Sequence, residues 1–115
     1  MSKENFLFDK SLAFAGRIVK LHKYLIKTHK ESVVSKQIVR SGTSIGANIN
    51  ESNYSSSKAD FIAKMQIAQK GTAETEYWIR LLKLSGYIDE KEYESLLRDC
   101  LDIKNLLTAT LKTAK

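Results

Sequence analysis

The chain has 115 residues, 43% hydrophobic and 28% charged, with a net charge of +6 and one cysteine, Cys100. That length holds one domain and one core, the apolar-to-charged balance is that of a globular chain rather than a disordered one, and a lone thiol excludes an internal disulfide and an all-cysteine zinc site. The absence of proline and the presence of only five glycines, the two residue types that destabilise helix interiors, favour an all-helical fold.

The positive charge is uneven. Residues 1–50 carry nine Lys/Arg against three Asp/Glu (Glu4, Asp9 and Glu31), whereas residues 51–115 carry ten of each. Such an asymmetry points to an anionic partner, although a solvated basic face also serves solubility. No stretch approaches the roughly 18 apolar residues of a membrane span. No charged-then-apolar leader with a small-residue cleavage site opens the chain. The expected location is the cytoplasm.

The spacing predicts a first helix over about residues 5–30. Leu7, Phe14, Ile18, Leu21 and Leu25 fall in a stripe about 60° wide at 100° per residue. Lys20, Lys23, Lys27 and Lys30 lie on the far side, within roughly 80° of one another. This helix therefore has an apolar seam and a lysine ridge. Gly16 is its weak point and is expected at a close packing contact. Glu31-Ser32 marks the break, with Ser32 as the expected N-cap of a second helix over residues 33–52. Ser41, Gly42, Thr43, Ser44, Gly46 and Ala47 make this helix unusually small-sided. Read alone they suggest a loop, but Val34, Ile38, Ile45 and Ile49 keep helical spacing around them. Gly42 and Gly46 share a face, which lets another helix approach closely and offsets the ~1 kcal/mol that each glycine costs relative to alanine.

A polar connector, Asn53-Tyr54-Ser55-Ser56, leads to a long third helix over residues 57–85. Ser57 and Asp60 form a start signal close to a capping box, and Gly86 is placed for a left-handed stop. Phe61, Met65, Ala68, Thr72, Ile79 and Leu82 make its core stripe. Ile67, Glu74, Trp78 and Leu81 point elsewhere. A helix apolar on two sides is central or meets a partner, so these four residues form a candidate subunit interface. Glu74 among large apolar neighbours needs a partner, for which Asn48, Arg40 and Arg80 are candidates. The same carboxylate can equally belong to a structural polar network within the chain, as can those of Glu51 and Glu76. Asp89 caps a fourth helix over residues 89–112, with Glu92 as the reciprocal acid. Tyr93, Leu96, Leu97, Cys100, Ile103, Leu107 and Leu111 form its seam, and Lys112 and Lys115 suit its C-terminal end. Four helices with short connectors give an up-down-up-down bundle.

Enzymatic signatures are missing. A di-iron bundle needs Glu-x-x-His pairs, but Val19 and Ile26 stand three residues before His22 and His29. Two histidines make no metal site, and Cys100 lies on a core stripe without a neighbour that would activate it. Gly42-Thr43-Ser44-Ile45-Gly46 lacks the lysine and the preceding strand of a phosphate loop. No catalytic residue, metal or cofactor is expected.

Two segments, Arg40-Ser41-Gly42-Thr43-Ser44-Ile45-Gly46-Ala47-Asn48-Ile49-Asn50-Glu51 and Ile67-Ala68-Gln69-Lys70-Gly71-Thr72-Ala73-Glu74-Thr75-Glu76-Tyr77-Trp78 through Ile88, resemble the four-helix-bundle protein family, also named for the 23S rRNA intervening sequence. The accessory protein of diversity-generating retroelements is a relative. The resemblance extends over nearly the whole chain. It implies a small up-down bundle that assembles into a ring-like homopentamer and has no enzymatic activity. In the retroelement relative it implies binding of RNA and a reverse transcriptase through a basic surface. Where the family motif often has glycine after its glutamate, Ser52 stands here.

The expected protein is thus a non-enzymatic, homo-oligomeric bundle that binds nucleic acid, RNA above all. Lys20, Lys23, Lys27 and Lys30 would contact phosphates, with Arg17, Lys36 and Arg40 as additions. The alternative is a protein-interaction scaffold whose lysines only solubilise it.

Overall fold

A computed structural model describes residues 3–114, with side chains from Phe6 onward. It contains four helices: α1 (Lys3–His29), α2 (Val33–Ser52), α3 (Lys58–Leu84) and α4 (Glu90–Ala114). Each packs on its neighbours in sequence, α4 returns to α1, and among the described residues the backbones of diagonal helices do not approach each other. The result is an antiparallel four-helix bundle of 44 × 22 × 21 Å. Its long dimension is set by α1 and α3, whose 27 residues each span about 40 Å.

The periodicity of the chain selects the core. Leu7, Phe14, Ile18, Leu21 and Leu25 of α1 are buried, with Ile38, Ile45 and Ile49 of α2, Met65, Ala68, Ile79 and Leu82 of α3, and Leu96, Ile103, Leu107 and Leu111 of α4. Val34, Phe61, Tyr93 and Leu97, expected in the same seams, are half-buried at its edge.

The small residues of α2 serve two neighbours at once. Gly42 faces α1: a Cβ there would stand 2.9 Å from Ile18 Cγ2. Gly46 faces Ser11 of the same helix, while Ser41 faces α3, where its Oγ and Thr75 Oγ1 are hydrogen-bonded at 2.9 Å. The buried hydroxyls also bond backward along their own helices, Thr75 to the Gly71 carbonyl at 2.7 Å and Thr72 to the Gln69 carbonyl at 2.6 Å. This local satisfaction makes their burial tolerable. Gly16, by contrast, has nothing within 4 Å of its position for a Cβ. The close contact expected of it does not exist, because it lies on the outward side of α1, opposite the seam.

The helix ends differ from expectation in three places. Ser32 occupies the N-cap position of α2 but makes no side-chain cap. The Glu31 carboxylate does so instead, accepting from the amides of Val33, Val34 and Ser35 at 3.1, 3.1 and 2.8 Å. A carboxylate binds free N-terminal amides more strongly than a hydroxyl and also suits the helix dipole. Lys30 is not part of α1: it adopts φ 56°, a left-handed stop. Glu92, expected to close the capping box of α4, turns away to Arg17, and Asp89 Oδ1 alone caps the Glu92 amide at 2.8 Å. The other stops agree with the sequence. Ser57 Oγ accepts from the Asp60 amide at 3.0 Å. Gly86, at φ 83°, closes α3 with Gly86 N–H to the Lys83 carbonyl and Tyr87 N–H to the Leu82 carbonyl, a Schellman motif. Lys115 lies outside the described residues.

Cys100 is fully buried in α4, its thiol directed at the Thr72 carbonyl at 3.4 Å. Burial, reinforced by the charge of Glu76, pushes the thiol pKa up from 9.0 to about 12. It is a small core side chain rather than a nucleophile.

Gly16→Ala should stabilise the protein by about 1 kcal/mol through helix propensity alone. Gly42→Ala should lower stability, because overpacking against the β-branched Ile18 costs roughly 1–3 kcal/mol and outweighs the same gain; urea unfolding of the pair checks both signs. For Cys100, the folded state keeps a proton that the unfolded chain releases above its ordinary value of 9.0, so this group lowers stability progressively as pH rises from there to about 12. Cys100→Ala should flatten that part of a stability–pH curve, and the wild-type thiol should resist a disulfide reagent at neutral pH until the protein is unfolded.

Candidate nucleic-acid interface

The apolar seam of α1 turns its opposite side to solvent, and that side carries the lysine ridge. Lys20, Lys23 and Lys27 are exposed and make no ion pair among the described residues. Lys30 is exposed at the left-handed stop, just beyond the helix. Lys36 is exposed in the first turn of α2, at the same end of the bundle. Lys27, Lys30 and Lys36 thus lie at the end of the bundle where α1 passes into α2, with Lys23 and Lys20 further back along α1.

The structure directs the two arginines elsewhere. Arg17 faces α4, where Nη1 donates to Asp99 Oδ2 at 2.7 Å and to Ser95 Oγ at 3.0 Å, and Nη2 lies 3.4 Å from Glu92 Oε1. It is held by two carboxylates and ties α1 to α4. Arg40 lies on the α2–α3 side, donating to Gln37 Oε1 at 2.8 Å and standing 3.7 Å from Glu74 Oε2. Neither belongs to the ridge. His22, at the inner edge of α1, is held by Ser35 Oγ at 2.7 Å.

The four residues expected at a subunit contact all belong to the outer side of α3. Ile67 is 49% exposed, Glu74 is exposed, and Trp78 and Leu81 are half-buried. Trp78 leans on the core edge, and its Nε1 donates to Glu74 Oε2 at 3.1 Å. Of the three partners considered for Glu74, Arg40 is the one that reaches it. Asn48 bonds the Ser44 carbonyl, and Arg80 bonds Glu76. Glu76 also pairs with Lys104 across the α3–α4 seam at 3.6 Å. The sequence reading missed Tyr77 and Leu84, which are 59% and 84% exposed on the same outward side as Leu81. Their spacing of four and three around Leu81 was the available signal.

It also missed a cleft. The α1–α4 contact is the sparsest of the four helix pairings, and a cavity of about 760 Å³ opens there, between α1, the α3–α4 turn and the start of α4. Lys20 and Tyr24 line it from α1 and Tyr87 from the turn, with Asp89 and Glu92 on the opposite rim. His29 bridges the two tyrosines edge-to-face, with ring centroids 5.2 Å from Tyr24 and 5.3 Å from Tyr87. Tyr87 is remote in sequence from Tyr24 and His29 of α1, so no local pattern could unite the three. Among the described residues no group of three or more His, Cys, Asp or Glu is placed to hold a metal ion, and no helix is long and apolar enough to cross a membrane.

Residues 3–109 match the family described as 23S rRNA-intervening sequence protein. A crystal structure of a protein of unknown function, from the S23 ribosomal protein family and from Bacteroides thetaiotaomicron VPI-5482, is 52% identical. It superposes with a TM-score of 0.95, the match covering 96% of this chain and 99% of the other. The chain has no match among curated proteins. The two segments that carry the resemblance coincide with what the fold uses: Gly42 and Ser41 make the α2 contacts, Glu74 and Trp78 bond each other, and Gly86 ends α3. A match along nearly the whole chain, with the same fold, places this protein in the 23S rRNA-intervening sequence protein family.

Proposed function

We propose that the protein is a non-enzymatic, homo-oligomeric bundle that binds RNA through the basic outer surface of α1. The observation that carries this reading is the run of exposed lysines without ion pairs at 20, 23 and 27, extended by Lys30 and Lys36. From Lys20 to Lys30 the ridge is about 15 Å long, a length that spans several backbone phosphates. Neutralising phosphates releases condensed counterions, which supplies affinity without sequence readout. Because Arg17 and Arg40 are engaged by carboxylates, the footprint is narrower than the charge of the first half suggests.

One such patch binds weakly, and copies in an oligomer multiply it by raising the effective concentration. The outer side of α3 suits that assembly. Ile67, Tyr77 and Leu84 are exposed there beside Trp78 and Leu81, and large apolar residues gathered on one face mark an interaction surface. A homopentameric ring is the assembly that the family resemblance implies.

Charge reversal of Lys20, Lys23 and Lys27 together should lower affinity for structured RNA by more than about ten-fold at moderate salt. It should also shallow the salt dependence by roughly two to three in log–log slope; filter binding across a salt series measures both, and unchanged affinity would sink the proposal. For the assembly, Trp78→Glu should yield smaller particles by native mass spectrometry. An unchanged particle mass would assign that ring to the bundle alone.

A further inference from the structure

We propose that the cleft beside the lysine ridge receives an unstacked nucleobase from a single-stranded segment of the bound RNA. The inference rests on the RNA-binding reading and names the form of RNA that it favours. Lys20 connects the two features, since it belongs both to the ridge and to the cleft wall. Tyr24 lies one helical turn further along the same face of α1, so a cation and an aromatic ring are presented side by side.

A nucleotide offers a flat π surface, hydrogen-bond donors on the base edge and an anionic phosphate. The cleft has a counterpart for each. Tyr24 and Tyr87 supply rings, and both meet His29 edge-to-face, at 77° and 86°, so neither is engaged in parallel stacking with it. The Tyr24 hydroxyl bonds His29 Nε2 at 3.0 Å, at the ring edge, and leaves stacking to the ring itself. Asp89 and Glu92 place carboxylate acceptors on the opposite rim, and Lys20 stands where the adjoining phosphate continues onto the ridge. Arg17, which also lines the cleft, is already bonded to Asp99 and fixes the wall. A cavity of about 760 Å³ is within the range that encloses small ligands. Bases held in a duplex present no free face, whereas those of loops and single strands are recognised by stacking on aromatic side chains.

The test compares a short oligoadenylate carrying one fluorescent aminopurine with an RNA duplex of equal length. Wild-type protein should quench the aminopurine. Tyr24→Ala should weaken oligoadenylate binding at least about five-fold while leaving duplex binding unchanged, and Tyr24→Phe should retain both affinity and quenching. Tyr24 is 45% exposed, so its truncation spares the core, and thermal unfolding of both variants verifies the fold. The inference is overturned if Tyr24→Ala leaves oligoadenylate binding intact, if it weakens both RNAs alike, or if the wild type binds duplex without binding or quenching the single strand. A wild-type protein that binds neither RNA overturns the proposed function itself, and this inference with it.

Discussion

The bundle depends on how closely α2 lies against both of its neighbours. Gly42 brings α1 so near that even one added carbon would meet Ile18 at 2.9 Å. On the other side the Ser41 and Thr75 hydroxyls bond across the α2–α3 contact. Close approach multiplies dispersion contacts between backbones and side chains, and hydroxyls already bonded to their own helices can be buried without a desolvation penalty left open. Two glycines and several serines are poor helix formers. They persist in α2 because the gain lies in packing that an isolated helix does not have.

The opposite side of the bundle has no such contact. The α1–α4 pairing is sparse and is held by ion pairs, Arg17 with Asp99 and Glu92, and Lys10 with Asp102 at 3.8 Å. Pairs of this kind, a third or more exposed to water, contribute only about 0.2–1 kcal/mol each. They align two helices without drawing them together, and the cleft lies where that alignment leaves space. The tight α2 side and the open α1–α4 side are two consequences of one distribution of small and charged residues.

The charge pattern acquires its meaning from the same geometry. The bundle end that gathers Lys27, Lys30 and Lys36 also gathers the acidic start of α4, with Asp89, Glu90 and Glu92. Lys83 pairs with Glu90 there at 3.1 Å. That end is therefore two-sided, basic around α1–α2 and acidic at α4, with the cleft at the boundary. A charge count over the first half of the chain averages this away, because it cannot separate Arg17, which faces carboxylates, from Lys20, which faces water.

The amino-acid sequence by itself determined the four helices, their order and nearly all of the core, because helical periodicity is a local property and five glycines with no proline leave few places to stop. It also determined the helix starts at Ser57 and Asp89 and the stop at Gly86, where the chemistry lies within a few residues. Tertiary structure decided what depends on neighbours remote in sequence. It alone placed Gly42 against Ile18, whereas the outward position of Gly16 already follows from the helical period of α1. It assigned Arg40 to Glu74, and drew Arg17 out of the basic surface through partners more than 70 residues away. It also assembled Tyr24, His29 and Tyr87 around one cleft. Side chains three or four apart on one helix meet by geometry that can be written down beforehand; those that meet across helices do so only after packing has set the rotation of each helix about its axis.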